Sequence, residues 1–189
     1  MGLDPKSGPA HVSLGSILYN QGDWAGAAAC YRKAVELNPK NATIRFILAE
    51  AEGMAALQDK LPALQKGEFK PRTNDELRMM VRLCKIKKLF FANSRMYADA
   101  FADDPKLADD LNTGNRYNAA CYAALAAAGQ SKDDPPPDET KKAELRRQAL
   151  AWLRADLDLW GKRLTSDKPE ERKMAVERLR HWQQDTDLS

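Results

Sequence analysis

The sequence of 189 residues has few of the residues that fill β-sheets: four valines and four isoleucines stand against 29 alanines, and only 7% of the residues are aromatic. Branched and aromatic side chains pack well on pleated strands, so this composition argues against any sizeable β-sheet. Alanine is also the strongest helix former. We therefore predict an all-α fold, in a chain long enough to bury a core without metal or disulfide cross-links.

Residues that carry chemistry are also scarce. The three cysteines, Cys30, Cys84 and Cys121, lie far apart without a Cys-x-x-Cys pair, and the two histidines, His11 and His181, lie at opposite ends. No Gly-x-Gly phosphate loop, kinase catalytic motif or metal-ligand spacing occurs, and the aspartate pairs at 103–104 and 109–110 are interpreted as helix caps. We therefore predict no catalytic activity, no cofactor and no metal.

Long apolar runs and a strong charge of one sign are missing as well. The longest nearly uncharged run, 117–130, is too short to cross a bilayer, and the N-terminus has no signal-peptide pattern. The formal net charge is +3, with short basic pieces at 85–88 and 178–180. A nucleic-acid partner usually requires a more concentrated basic face. We predict a cytoplasmic protein that binds neither membrane nor nucleic acid.

Glycine, proline and capping residues divide the chain into segments. Residues 1–9 are predicted to be a linker, and capping boxes are expected at Thr73 and Asp167. Gly129 suits a left-handed helix end. The polar segment 131–138, with three prolines, is expected to be extended and exposed. Helices are predicted over 10–21, 24–37, 41 to about 60, 74–88, 90–103, 115–128, 139–160 and 168–183, with a short helix between Pro62 and Gly67.

An internal repeat accounts for part of the alanine excess. The first copy reads His11-x-x-Leu14-Gly15-x-x-Leu18, then Ala27-x-x-x-Tyr31, Ala34 and Pro39. It resembles the tetratricopeptide repeat (TPR) in its spacing and departs from it at His11 and Leu18, where aromatic residues are usual. In this pattern small residues let two antiparallel helices touch, larger ones fill the seam between them, and the proline ends the unit.

Further copies are less regular. Tyr97, Ala100 and Pro105 repeat the spacing of Tyr31, Ala34 and Pro39, with Phe90 in place of Trp24, and a third unit includes Tyr117, Ala120 and Ala149. The resemblance implies antiparallel helix pairs stacked as a short TPR solenoid of about seven to eight helices. We predict one TPR-like domain over 10–185, with units at about 8–41, 74–107 and 114–160, an insert at 131–138, irregular helices over 42–66 and a capping helix over 168–183.

A narrower resemblance covers 89–188. The stretches 97–111, 116–121, 147–156 and 181–185 are similar to the C-terminal TPR region of large bacterial serine/threonine protein kinases. This similarity implies that the chain is a fragment of a larger multidomain protein whose kinase part is absent here.

The TPR resemblance also implies a concave binding face formed by the first helix of each pair. Arg78, Arg82 and Lys85 are spaced i, i+4, i+7 and form a basic stripe on one helix face, which is either a site for an acidic peptide or simply a solvated surface. Trp152, Leu153, Leu157 and Trp160 are expected to form a core stripe, with Trp182 as their partner. The residues predicted on the concave face are Val12, Ser16, Tyr19, Phe46, Glu50, Arg78, Arg82, Lys85, Asn118 and Tyr122.

Two functions remain open from the sequence. The first is a non-catalytic protein-protein interaction module that binds a protein or peptide, an acidic peptide included, on the concave face. The alternative is a structural or self-association scaffold that spaces the domains of a larger protein. Either module is expected to be a monomer or a weak homodimer.

Overall fold

A computed structural model describes residues 7–185, which form ten α-helices and no strand. The predicted all-α class is confirmed. The ten helices exceed the predicted seven to eight because two of them are very short: α4, which corresponds to the short helix predicted after Pro62, and α7, which was not predicted. The helices are α1 (Gly8–Gln21), α2 (Trp24–Leu37), α3 (Ala42–Gln58), α4 (Leu61–Lys66), α5 (Asn74–Lys87), α6 (Phe90–Asp103), α7 (Lys106–Asp109), α8 (Asn115–Ala127), α9 (Glu139–Leu164) and α10 (Pro169–Gln184).

The chain divides into two compact units, Met1–Ile86 and Lys87–Ser189. In the first unit α1 packs on α2 and α2 on α3, and in the second α6, α8, α9 and α10 pack in succession, with α7 beside α6 and α8. Only a two-residue turn separates α1 from α2, so these two helices are antiparallel neighbours. The assignment of 10–185 to a single domain stays a prediction.

Close helix contact in the first unit depends on small residues, as the repeat pattern predicts. Ala27, Ala28 and Ala51 are buried with Tyr31 in one core cluster. At Gly15, a Cβ atom would lie 2.5 Å from Cε1 of Tyr31, well inside van der Waals contact. Gly15 therefore lets α1 approach the Tyr31 ring, and any larger residue would push the two helices apart.

Several helix ends confirm the predicted signals. Thr73 Oγ1 accepts a hydrogen bond from the N–H of Glu76 at 3.1 Å, and the Glu76 carboxylate accepts one from the N–H of Arg72 at 2.7 Å. Gly129 has a φ of 75°, a left-handed conformation that glycine adopts at little cost. The local sequence thus determines where these helices begin and end.

Other boundaries differ from the prediction. The first helix begins at Gly8 because Ser7 Oγ accepts a hydrogen bond from the N–H of Ala10, which shortens the predicted linker, and residues 1–6 of that linker lie outside the described residues. No side chain caps α10 at its N-cap Lys168, so the capping box at Asp167 was wrong. Helix α9 continues through Gly161 to Leu164, since one helical glycine costs only about 1 kcal/mol.

The second unit has an aromatic core. Trp152 and Trp160 are buried, and Trp182 packs against the cluster around Trp160, as expected. Leu157 is different, because half of it is exposed and the adjacent Asp156 is buried in its place. The predicted core stripe on α9 was therefore wrong at Leu157.

The proline-containing segment 131–138 is not exposed throughout. Asp133 and Pro137 are buried, and Asp133 with Ser131 caps the N-terminus of α6. The expectation of a fully exposed insert was wrong, because the sequence could not show that this segment reaches the N-terminus of α6, which has no capping side chain of its own.

Candidate functional site

Helices α3 and α5 of the first unit enclose a groove of about 440 Å³. Four residues predicted on the concave face line this groove, two from each helix. It contains both charged and apolar side chains. The residues that line this α3–α5 groove are Phe46, Ala49, Glu50, Met54, Asp75, Arg78, Met79 and Arg82.

Glu50 connects three helices through a polar network. Its Oε1 atom accepts a hydrogen bond from the Tyr19 hydroxyl and another from Nη1 of Arg82, both at 2.8 Å. The Arg82 guanidinium also lies over the Tyr19 ring, 5.0 Å from its centroid, at a distance suited to a cation–π contact. Three of the predicted residues, from α1, α3 and α5, are thus brought together.

The environment of Tyr19 changes its acidity. Burial is the largest cause, and the hydrogen bond to Glu50 and the charge of that carboxylate act in the same direction, so that the pKa of Tyr19 rises to about 12. Arg82 opposes the shift because a cation stabilises a phenolate. Tyr19 is therefore a neutral hydrogen-bond donor at physiological pH.

The arginines of the basic stripe are already paired. Arg78 forms an ion pair with Asp75, one turn earlier on α5, and Arg82 pairs with Glu50. The groove consequently holds two positive and two negative side chains and has no net charge. An entering carboxylate would have to exchange with Asp75 or Glu50, whereas the third member of the stripe, Lys85, is exposed outside the groove lining.

The groove also has an apolar part. Phe46 is 69% exposed, while Met54 is fully buried and forms the base of the groove. A Cβ atom at Gly53 would lie 2.9 Å from the sulfur of Met79, so this glycine lets the Met79 side chain lie against α3. An exposed phenylalanine beside a polarizable methionine is a surface to which apolar side chains can bind.

Two other predicted residues of the first unit serve its internal packing. Val12 packs against the core cluster around Tyr31. Ser16 donates a hydrogen bond to the carbonyl of Val12 at 3.0 Å and accepts one from the Tyr31 hydroxyl at 3.2 Å. The hydroxyl of Ser16 thus takes part in contacts within the unit.

The two predicted residues of the second unit also differ from the expectation. Tyr122 is only 7% exposed, and its ring stacks between those of Phe90 and Tyr97, at 6.0 and 6.3 Å between centroids. The prediction that Tyr122 is presented to a partner is therefore corrected: a ring buried among rings fills a core. Asn118 is half-buried beside a small cavity of about 90 Å³. A single face formed by all ten residues stays a prediction.

Sequence reasoning missed Asp75 and Met79 in the groove. Asp75 lies three residues before Arg78 on the same helix, a spacing that favours ion pairs and could have revealed it. Met79 carries no such local signal, because its position depends on how closely α5 approaches Gly53.

A family model described as a TPR repeat matches residues 15–52. The match runs from the middle of α1 to α3 and includes Phe46 and Glu50 on one wall of the groove. Together with the all-helical structure it supports a TPR-type fold, and a TPR repeat indicates a protein-protein interaction module. No curated protein and no solved structure matches the chain.

Within residues 7–185, no helix has the length and apolar character that a membrane span requires.

Proposed function

We propose that the chain is a non-catalytic interaction module that binds a peptide segment of a partner protein in the α3–α5 groove. The observation that carries this proposal is the place of Phe46, which lies inside the TPR match and is largely exposed at the groove. Large exposed apolar residues beside a concave surface are typical of interaction sites.

Apolar contact supplies most of the affinity in this proposal. Covering Phe46 and Met79 with a partner side chain removes apolar surface from water, and a fully buried side chain of this size contributes about 1.5–3 kcal/mol. Exposed ion pairs contribute about 0–1 kcal/mol. Exchanging Asp75 or Glu50 for a partner's carboxylate is therefore nearly neutral, and an acidic peptide is recognised through the geometry of Arg78 and Arg82 more than through net charge.

The cellular context is part of the same proposal. The similarity of 89–188 to kinase C-terminal regions supports a fragment of a larger bacterial kinase-type protein, acting in the cytoplasm as a monomer or weak homodimer without nucleic acid. This part rests on the resemblance alone. Sequencing the flanking coding region tests it: an upstream kinase domain is expected, and an unrelated upstream reading frame would contradict it.

Quantitative affinity capture tests the groove. Wild type, Phe46→Asp and Leu37→Asp are immobilised separately, and the proteins retained from a lysate are measured by mass spectrometry. Leu37 is the matched control, because it is an exposed apolar residue (41%) on α2 and does not line the groove. We expect a partner that wild type and Leu37→Asp retain equally and Phe46→Asp loses at least tenfold. Equal retention by all three proteins would remove the groove from the proposal.

Charge reversal tests the acidic preference separately. For the partner so identified, Arg78→Glu combined with Arg82→Glu is compared with the wild type by calorimetric titration. An acidic segment is expected to lose five- to twentyfold in affinity, in line with a loss of about 1–2 kcal/mol. A change of less than twofold would show that the groove binds through apolar contact alone. Circular dichroism of each variant controls for folding.

A further inference from the structure

Helix α9 exposes a row of three leucines on its surface. Leu150 is 54% exposed, Leu157 50% and Leu164 37%, whereas Leu145 and Trp160 on the same helix are buried. The three exposed leucines are seven residues apart, so they lie along one face of the helix. A repeated apolar face on a long helix is typical of a helix that packs against another.

A shallow groove of about 360 Å³ lies beside this leucine row, between α8 and α9 of the second unit. Its surface is formed mainly by alanines, including two of the run at 126–128. Such small side chains let the backbone of a binding helix approach closely. The residues that line this α8–α9 groove are Ala124, Ala127, Ala128, Arg146, Ala149, Leu150 and Leu153.

Arginines flank the leucines. Arg146, Arg147 and Arg154 are all exposed, and Arg147 and Arg154 each lie three residues before a leucine of the row, on the same side of the helix. Neither Arg147 nor Arg154 has an ion pair in residues 7–185. Over 145–164 the acidic residues are Asp156, which is buried and bound to Arg116, and Asp158, which is exposed; five arginines and lysines lie in the same span. This face is therefore apolar with a border of net positive charge.

We propose that the α8–α9 groove and the adjacent leucine row bind an amphipathic helix of a partner protein that carries acidic residues beside its apolar stripe. The charge of the border selects the acidic partner, because unpaired exposed arginines attract carboxylates and repel cations. A helical partner suits the surface, since α8 and α9 offer no free backbone edge to which an extended peptide could hydrogen-bond. From Leu150 to Leu164 the row extends about 21 Å, which corresponds to about four turns of a binding helix.

A selection experiment tests this surface. A displayed library of 18-residue helical peptides with all charged and apolar residues allowed is panned against the full chain. We expect the selected peptides to be rich in Asp and Glu and to carry apolar residues at i, i+3 or i+4, and i+7. The affinity of synthetic selected peptides is then measured by fluorescence anisotropy on purified variants.

Matched variants distinguish this face from the rest of the surface. Leu150→Gln with Leu157→Gln is expected to weaken peptide binding at least tenfold. The control is Ile17→Gln with Ile86→Gln, two residues of the first unit with the same exposed fractions, 54% and 50%, which should bind within twofold of wild type. Phe46→Asp should also leave this binding unchanged, so that failure here and failure of the α3–α5 groove are distinguishable.

Charge exchange provides the decisive arm. The double variant Arg147→Glu with Arg154→Glu should bind the acidic peptides at least fivefold more weakly than wild type does. For a peptide in which Lys replaces each Glu, the affinity of this variant should at least equal that of wild type. The proposal is overturned if no peptide is selected, if the peptides bind the leucine variant as well as wild type, or if charge exchange changes nothing. It is also overturned if ultracentrifugation of the free chain shows a dimer that the leucine variant abolishes, because the occupant is then a second copy.

Discussion

Asp133 Oδ1 accepts a hydrogen bond from the backbone N–H of Ala92 at 3.0 Å, although 41 residues separate the two in sequence. The other carboxylate oxygen accepts one from Phe91, and Ser131 Oγ accepts from Phe90 and Phe91. The first three N–H groups of α6, which have no partner within a helix, are thus satisfied by a distant segment. The segment 131–138 therefore serves as the N-terminal cap of another helix.

Replacing Asp133 by Ala is expected to destabilise the protein by about 1–2 kcal/mol, since it leaves buried N–H groups of α6 without acceptors. Ser131→Ala should cost less, because Asp133 still binds Phe91 and Ala92. Chemical denaturation at pH 7 measures both. The control is Asp158→Asn, an exposed carboxylate on α9, which should stay within about 0.5 kcal/mol of wild type. Equal stabilities of all four proteins would contradict the capping role.

Two glycine-to-alanine substitutions should act in opposite directions. Gly15→Ala places a methyl group against the buried Tyr31 ring and is expected to cost about 1–3 kcal/mol. The methyl group of Gly161→Ala would lie in open space on α9, so this substitution should stabilise the protein by about 0.5–1 kcal/mol through helix propensity. Thermal unfolding followed by circular dichroism compares them. A stabilising Gly15→Ala would show that α1 and α2 are less closely packed than the structure indicates.

The ion pair of Arg116 and Asp156 holds α8 and α9 together at 2.9 Å, and Arg116 also contacts Asp109. Arg116→Met should cost about 3–5 kcal/mol, because it leaves the buried Asp156 carboxylate unpaired. The double variant Arg116→Met with Asp156→Leu should recover most of that loss, since apolar side chains then fill the site. A double-mutant cycle in urea measures the coupling. Additive losses in the double variant would contradict this interpretation.

The raised pKa of Tyr19 predicts a loss of stability in alkali. Between pH 10 and about pH 12 the unfolded chain releases the phenolic proton while the folded chain keeps it, so the free energy of unfolding falls as the pH rises. Tyr19→Phe should make this decline shallower, with little change at pH 8. Absorbance titration of Tyr19→Phe near 295 nm should show one tyrosine ionisation fewer near pH 12 than the wild type shows. Loss of an ionisation near pH 10 instead would show that Tyr19 ionises at an ordinary pKa.

Helix positions were largely predictable because their signals are local. The capping box at Thr73 and the left-handed Gly129 lie within a few residues of the ends that they determine. The same holds for the small residues Gly15 and Ala27, whose spacing in the sequence is enough to identify the repeat. The misplaced start of α1 and the extension of α9 amount to a few residues each.

The candidate site was predictable only in part. Helical spacing placed Arg78 and Arg82 on one face, and the repeat placed Phe46 and Glu50 on another. The neutralisation of Arg82 was not visible, since Glu50 reaches it across 32 residues of sequence. The burial of Tyr122 was not visible either, because it depends on rings from two other segments.

The sequence by itself determined that this protein is helical, where most of its helices lie to within a few residues, and that a repeat with TPR spacing lies near its N-terminus, because composition, capping and helical period act over a few residues. Tertiary structure alone decided that Asp133 caps α6, that Arg82 pairs with Glu50, and that Leu157 faces outward while Asp156 is buried. Each of these depends on partners 32 to 41 residues away in sequence, whose approach is determined by the packing of whole helices.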